Sequence, residues 1–566
     1  MGPEVASGKV VPVIDATRRS RIGASVALAA GVALLAASCS GGKSRATSSV
    51  TVEGSSRAFP LLRLETDTGI DYLDPGLSYT PEGWSVLWNV YLPLLGYEHV
   101  NGPGGATIVP YLAQSLPRVS ANGKTYTLVL RRGLRYSNGA PVRASDFGAT
   151  IRRDYRLDSP GVAFFSNIVG AAEYGRTKKG TIAGIENDDA TGRITIRLLT
   201  PQADFENVLA SDFAALVPAD APASDTSIDP LPATGPYMIK SYQPNDKIVE
   251  VRNPYFDSAA TGGNVPAGNA DSVVWDVVSD DGAALQRVIG GQDDWDGYHA
   301  IPPGQLPAVE QKYGNQIRRY VPPNTYYFFM NTRVPPFTSL EVRQAVNYAI
   351  DRNVLVKLYG GLAVPTENVL PPVYLQYAKH DFYPHDLAKA KRLVARSGFR
   401  GMHVTVWTHQ FGPDAKASAY LVGVLDSLGF TAKEKIVNSA VYWATVGNQA
   451  RKAQIGFADW FEDYPHPLDW FDVLLNGQKI TKTFNSNYAN FDDPSVNAEI
   501  DALGGRLLSG AVNREWAGLD ATVMRQAPWA PFLNRQFTDF FSPRVDLSCY
   551  VNQVVYGFDY ATICVR

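Results

Sequence analysis

Cysteine is scarce, at three residues in 566. That number cannot build a zinc ribbon or a thiolate-held iron–sulfur cluster, each of which needs about four. Histidine is nearly as sparse. The seven, His99, His299, His380, His385, His403, His409 and His466, include no HxH or HxxxH pair, so neither a metal nor an organic cofactor is expected. Net charge is close to neutral, at -3 with a pI near 6.2, which leaves no basic footprint for nucleic acid. Methionine is rare, at 5 residues against 10 Trp, 29 Tyr and 24 Phe, so contact surfaces are rigid rings rather than pliable thioethers. The glycine-rich Gly102-Pro103-Gly104-Gly105 lacks the Lys-Ser/Thr of a phosphate loop and reads as a turn. No repeat or low-complexity block interrupts the chain. With 45% hydrophobic residues and a length beyond the roughly 250–300 residues at which single cores stop growing, it is expected to form two or three domains.

The first 57 residues read as an address and a tether. Arg18-Arg19-Ser20-Arg21 supplies positive charge, and Ile22 to Ala37 is a run of apolar and small residues ending at Ser38-Cys39. The run is shorter than the ~20 residues a spanning helix needs. Small residues before a cysteine resemble a lipoprotein signal, in which Cys39 becomes the acylated first residue of the mature chain. Ala36 stands where a larger aliphatic is favoured, and a plain secretory signal or an uncleaved anchor are the alternatives. Residues 40–57 read as a flexible tether. Outside the cell the two other cysteines, Cys549 and Cys564, would close a short loop as a disulfide; the alternative is a pair of unlinked core thiols.

Strand and helix patterns mix throughout, which argues an α/β class. Thr125 to Arg131 and Arg193 to Leu198 alternate as half-buried strands, and Asn138-Gly139 marks a turn before a helix from Ala144. Thr325 to Asn331 is a fully apolar strand candidate. Leu340 to Ile350 and Leu387 to Ser397 are amphipathic, the latter stopped by Gly398. Val404 to Trp407, a helix from Ala415 to Leu428, and Thr431 to Ile436 form a parallel βαβ unit.

After a further strand at Gln454 to Ala458 comes the most unusual stretch, Ala458 to Leu475. It carries Asp459, Glu462, Asp463, Asp469 and Asp472 among Trp460, Phe461, Tyr464, Trp470 and Phe471. Carboxylates interleaved with large rings suit a partly desolvated binding site at the carboxyl end of a sheet strand. The plainer reading is a turn between a strand ending near Phe461 and a helix starting near Leu468.

In this order the pieces resemble the extracytoplasmic solute-binding proteins of family 5, the oligopeptide and dipeptide receptors of ABC importers. The resemblance rests on Leu73-Asp74-Pro75, Pro110-Tyr111-Leu112-Ala113, Tyr126 to Gly139 ending at Asp146-Phe147, Gly235-Pro236-Tyr237, Arg252-Asn253-Pro254-Tyr255, Val342-Arg343-Gln344-Ala345 through Asp351-Arg352, and Asp463-Tyr464-Pro465-His466-Pro467. It implies a periplasmic-binding-protein-like type II fold of two lobes around a cleft, with a small extra α+β domain. Carried over, lobe I comprises 58–82, 200–322 and 533–566, the extra domain 83–199, and lobe II 323–532, with crossings near Pro322 and Pro531.

The resemblance also implies that Asp463 receives a peptide's α-ammonium group and that the backbone of Asp459-Trp460-Phe461 pairs with an extended peptide. Trp460 would wall a side-chain pocket faced by Leu77 or Tyr79; Trp407 and His409 are either contacts or packing. His466 departs from the family's usual acidic residue. The implied partners are a peptide or related solute, a membrane permease with its ATPase subunits, and the membrane through the lipid on Cys39, with the receptor monomeric and no nucleic acid involved. The scaffold also serves nickel chelates, haem, opines and oligosaccharides. An extracytoplasmic hydrolase is the reading from another class, but nothing in the sequence pairs two carboxylates as a glycosidase requires.

Overall fold

The computed structural model describes residues 61–566 apart from Thr68, Pro303, Phe411 and Phe484. The expected signal, the tether and Cys39 lie outside the described residues. A fully apolar strand can be stable only if both faces are covered, and Asn324–Met330 is buried at every position. It lies inside a six-stranded mixed sheet, flanked by Ile455–Phe461 and Trp529–Arg535. Because side chains alternate along a strand, Tyr326, Phe328 and Met330 enter one apolar cluster, covered by helices Leu340–Ala349, Leu387–Ser397 and Gly412–Ser427. Tyr327 and Phe329 enter another, built from Trp470, Phe471 and Leu474 of helix Leu468–Leu474 and from helices Pro494–Gly504 and Gly510–Gln526.

The expected βαβ unit is present, with His403–His409 and Thr431–Val437 paired in parallel around helix Gly412–Ser427. Gly398 ends its helix in the left-handed region, at φ 76°, where a side chain would be strained. The tags Arg343 and Arg352 serve the scaffold. Arg343 donates to Phe337 O at 2.8 Å, and the Arg352 Nε donates to Thr366 O and Pro531 O at 2.8 and 2.9 Å. Pro531 itself sits within Trp529–Arg535, opposite Tyr327, so that strand continues past the expected boundary at 532. The chain leaves the six-stranded sheet at Gln536 instead, entering the antiparallel ribbon of Ile317–Tyr320 with Phe537–Phe540.

Earlier in the chain, Leu61–Thr66, Ser272–Val277, Lys247–Arg252 and Tyr237–Gln243 form a four-stranded sheet in that order. A second four-stranded sheet joins Arg118–Val119, Thr125–Val129, Arg193–Arg197 and Ile185–Asp188, and helix Ala144–Leu157 packs on it. Cys549 and Cys564 are joined in a disulfide near the C-terminus.

One buried ion pair ties these parts together. Asp74, within the Leu73-Asp74-Pro75 tag, accepts from Arg153 Nη1 and Nη2 at 2.8 and 2.5 Å, from Gly76 N at 2.9 Å, and from Thr226 N and Oγ1 at 3.1 and 2.8 Å. Burial pushes its carboxyl up, but the Arg153 guanidinium and these donors outweigh it and hold the group below the usual carboxylate range. With the folded-state value below the unfolded one, the stabilisation is complete at neutral pH and is lost as pH falls below about 4. Asp74→Asn leaves Arg153 buried and unpaired, so it is expected to destabilise the protein by about 3–5 kcal/mol, read as a lower denaturant midpoint. A midpoint within error of the wild type at pH 7 would refute this role.

Candidate functional site

Strand Ile455–Phe461, interior to its sheet, carries the carboxylate-rich stretch at its carboxyl end. It pairs with Asn324–Met330 along its whole length, Tyr326 opposite Asp459 and Asn324 opposite Phe461. On its other side the recorded pairing with His403–His409 ends at Trp407 and Gly456. The following turn, Glu462 to Pro467, leads into helix Leu468–Leu474, as the plainer reading of the sequence also held.

Across from the turn stands a loop of the earlier half of the chain. Asp71 fixes it, accepting from Ser78 Oγ at 2.8 Å, Tyr79 N at 2.7 Å and Thr80 Oγ1 at 3.1 Å. The Tyr79 hydroxyl, so positioned, donates to Asp463 Oδ1 at 3.0 Å. A second contact runs the opposite way, with the Tyr464 hydroxyl donating to Asp204 Oδ2 at 2.6 Å. Ala203 N also donates to Gly504 O at 2.9 Å. Tyr79, Trp84, Phe213 and Phe164 line the same face, the Phe164 ring meeting Tyr464 edge-on at 6.2 Å.

The carboxylates here are poorly solvated. Burial pushes Asp463 up to about 6, with the Tyr79 hydroxyl pulling the other way. Asp469, only 1% exposed, accepts from Trp460 Nε1 at 2.9 Å and from Asp463 N at 3.1 Å through Oδ2, while Oδ1 has no protein partner. Burial first, and the neighbouring Asp463 charge second, hold it well above the usual carboxylate range. Glu462 is raised to about 8 by burial, against the hydroxyl of Tyr374, which donates to it and itself accepts from Trp470 Nε1 at 2.8 Å. His466 is buried and its pKa is pushed down to about 4 by desolvation, so it is neutral at physiological pH; Nδ1 accepts from Leu468 N at 3.2 Å.

The remaining residues singled out in the sequence divide between two environments. Trp460 is half-buried and Phe461 is 38% exposed, edge-on to Tyr326 and Phe537. Asp459 is raised to about 7 by burial and the Asp414 charge, with Arg535 opposing. Leu77 is half-buried in the turn after Asp74, its N donating to Asp74 O at 3.0 Å. Trp407 is 4% exposed within the apolar cluster, with Lys435 Nζ 3.9 Å over its ring, so packing accounts for it. His409 is enclosed by Tyr442, Trp443 and Phe457, its Nε2 3.5 Å from Asp414 Oδ2. Sequence reasoning passed over Asp204 and Tyr374, whose partners Tyr464 and Glu462 are far away in the chain.

Comparison with known proteins accords with this architecture. The model of "Bacterial extracellular solute-binding proteins, family 5 Middle" matches residues 107–482. Heme-binding protein A of Haemophilus influenzae is 27% identical over 81% of this chain and 84% of its own. The glutathione-binding protein GsiB of Salmonella choleraesuis is 24% identical over 79% and 84%. Among solved structures, clavulanic acid biosynthesis oligopeptide binding protein 2 superposes with a TM-score of 0.83 at 25% identity, covering 90% of this chain and 96% of that one. With a family model spanning most of its length and a mixed α/β fold matching that of its solved relatives, the chain belongs to the bacterial extracellular solute-binding proteins of family 5.

Proposed function

We propose that this chain is the substrate-binding lipoprotein of an ABC importer. It captures a peptide with a free amino terminus between two lobes and delivers it to a membrane permease driven by ATPase subunits. One lobe is built on the four-stranded sheet that begins with Leu61–Thr66 and the other on the six-stranded sheet. Residues 83–199 form an extra domain, and the two passages near Pro322 and Gln536 form the hinge. The observation that carries the reading is Asp463, a half-buried carboxylate that accepts from the Tyr79 hydroxyl of the other lobe. An ammonium group that leaves water needs a fixed opposite charge, and Asp463 supplies one at the seam. Beyond Phe457, whose O accepts from the Tyr442 hydroxyl at 2.8 Å, the strand would take the peptide backbone as an added strand. An oligopeptide-binding structural relative supports the choice of solute; the haem-binding and glutathione-binding relatives support the alternatives.

Asp463→Asn is expected to weaken binding of a free-amino-terminus peptide by about 2–5 kcal/mol, roughly 30-fold to several thousand-fold. Stability without solute is expected to hold, because burial already disfavours the charged form of this side chain. N-acetylated peptide is expected to bind the wild type poorly and to lose little more in the variant. Calorimetry decides the matter: binding within threefold of wild type in Asp463→Asn sinks the ammonium role.

The same group sets a pH dependence. Binding needs the ionised carboxylate, whose fraction grows with pH, while a peptide amino group stays protonated below about 7.5. With Asp463 titrating at about 6, affinity is expected to fall about tenfold between pH 7 and pH 5. A flat profile over that interval, or tighter binding at pH 5, would contradict the assignment.

Anchoring rests on Cys39. Cys39→Ala is expected to release the protein from membranes into the soluble fraction, and undiminished membrane retention would remove the lipid from the account.

A further inference from the structure

A cavity on the second four-stranded sheet gathers four arginines. After strand Thr125–Val129 the chain makes a tight hairpin, closed by Tyr136 N donating to Ala140 O at 2.8 Å and Val142 N to Leu134 O at 3.0 Å, and then enters helix Ala144–Leu157. The turn between Ile185–Asp188 and Arg193–Arg197 lies alongside, tied to the hairpin's first arm by Leu130 N donating to Gly192 O at 2.8 Å. Hairpin and turn enclose a cavity of about 280 Å³, and Arg131, Arg132, Arg135 and Arg143 line it. That volume is just below the range of drug-sized ligand pockets, so it suits a small ion or a headgroup.

The four cations meet a single acid in that lining. Asp189 is already engaged at both oxygens by Ser145, Oδ1 accepting from N at 2.8 Å and Oδ2 from Oγ at 2.9 Å. No ion pair among the described residues takes up any of the four guanidiniums. Arg131 and Arg135 are instead held by carbonyls, Arg131 Nε donating to Tyr111 O at 3.0 Å and Arg135 Nη1 to Gly139 O at 2.8 Å, which fixes them without neutralising their charge.

Arg143 departs from local helix chemistry. It is the N-cap of Ala144–Leu157 and makes no side-chain capping bond. That position favours Ser, Thr, Asp or Asn, whose oxygen accepts a free N–H, whereas arginine has no acceptor and its charge opposes the positive end of the helix. The helix start is secured by acids instead, Asp146 Oδ2 accepting from Arg143 N at 2.8 Å and Asp189 accepting from Ser145. A residue that works against its own helix end and lines a cavity with three other arginines is accounted for if its charge serves a ligand.

We propose that this cavity is an anion site for a phosphoryl group, carried by a small solute or by a lipid headgroup. It shares no residue with the seam at Asp463 and does not depend on the solute bound there. All four cations are arginine, whose planar fork pairs bidentately with oxyanions, and the lining holds no lysine. A carboxylate brings two oxygens and one charge. A phosphoryl group brings three acceptor oxygens and up to about two charges, which four converging guanidiniums match better. The first residue of helix Ala144–Leu157 also lines the cavity, so the positive end of a 14-residue helix adds to the same field.

Calorimetry on the intact exported chain at pH 7 and low salt, with inorganic pyrophosphate as the probe and succinate as the dicarboxylate control, tests the site. Saturable binding of pyrophosphate below about 1 mM is expected, with succinate at least about tenfold weaker. Arg143→Ser is the telling variant, because it installs a favoured cap: Tm is expected to hold or rise while pyrophosphate affinity falls about tenfold. The exposed Arg132→Gln is the second variant, expected to lose affinity in the same direction. Co-sedimentation of Cys39→Ala chain with phosphatidylglycerol or phosphatidylcholine vesicles separates the sources. Arginine-dependent binding of pyrophosphate without capture by vesicles assigns a soluble phosphoryl compound, and arginine-dependent capture by phosphatidylglycerol alone assigns a headgroup; either supports the site. Succinate binding as tightly as pyrophosphate, affinities that stay within about threefold in both variants, or binding of neither pyrophosphate nor vesicles would overturn it.

Discussion

A carboxylate taken out of water must find a donor or a cation, or take up a proton. That constraint is met in two different ways in this molecule. At Asp74 it is met from within, by a guanidinium and three further donors, and the result is a rigid joint between a loop, helix Ala144–Leu157 and the segment at Thr226. At the seam it is met only in part. Asp463 and Asp204 each receive a single tyrosine hydroxyl, Asp469 is left with one unmatched oxygen, and Asp212 with two. The first arrangement builds a scaffold, whereas the second leaves carboxylate oxygens that no protein donor matches.

The two tyrosine contacts are reciprocal. Tyr79 reaches from the earlier half of the chain to Asp463, and Tyr464 reaches back to Asp204. Both residues stand beside aromatic rings, Tyr79, itself 44% exposed, against Trp84 and Phe213, and Tyr464 against Phe164. A neutral hydroxyl is a weaker partner for a carboxylate than an ammonium group. Each of these two contacts is therefore modest in strength.

Much of the scaffold is legible in the sequence. The run Thr325 to Asn331 is apolar at nearly every position, and only a strand covered on both faces can use such a run. Gly398 after an amphipathic helix, and the spacing from Val404 through Ile436, likewise left little choice of local structure. Boundaries were less legible. Pro531 looks like a break, but its missing N–H is tolerated where the pairing with Tyr326 and Tyr327 shifts register, and the strand runs on to Arg535.

For the site, the sequence determined the ingredients: a strand end, two prolines, and carboxylates interleaved with rings from Asp459 to Asp472. These are local facts, set by residue chemistry and spacing. Which carboxylate would be partnered was decided only by tertiary structure, because the deciding neighbours are remote in the chain. Tyr79 stands 384 residues from Asp463, and Asp204 stands 260 from Tyr464. Trp407 and His409 show the same limit from the other side, since their types suit a binding site and their enclosure in the six-stranded half of the molecule is a matter of packing. Desolvation is a property of everything that surrounds a group, so the shifted acidity of Asp463, Glu462 and Asp469 could be read only once the two halves were brought together.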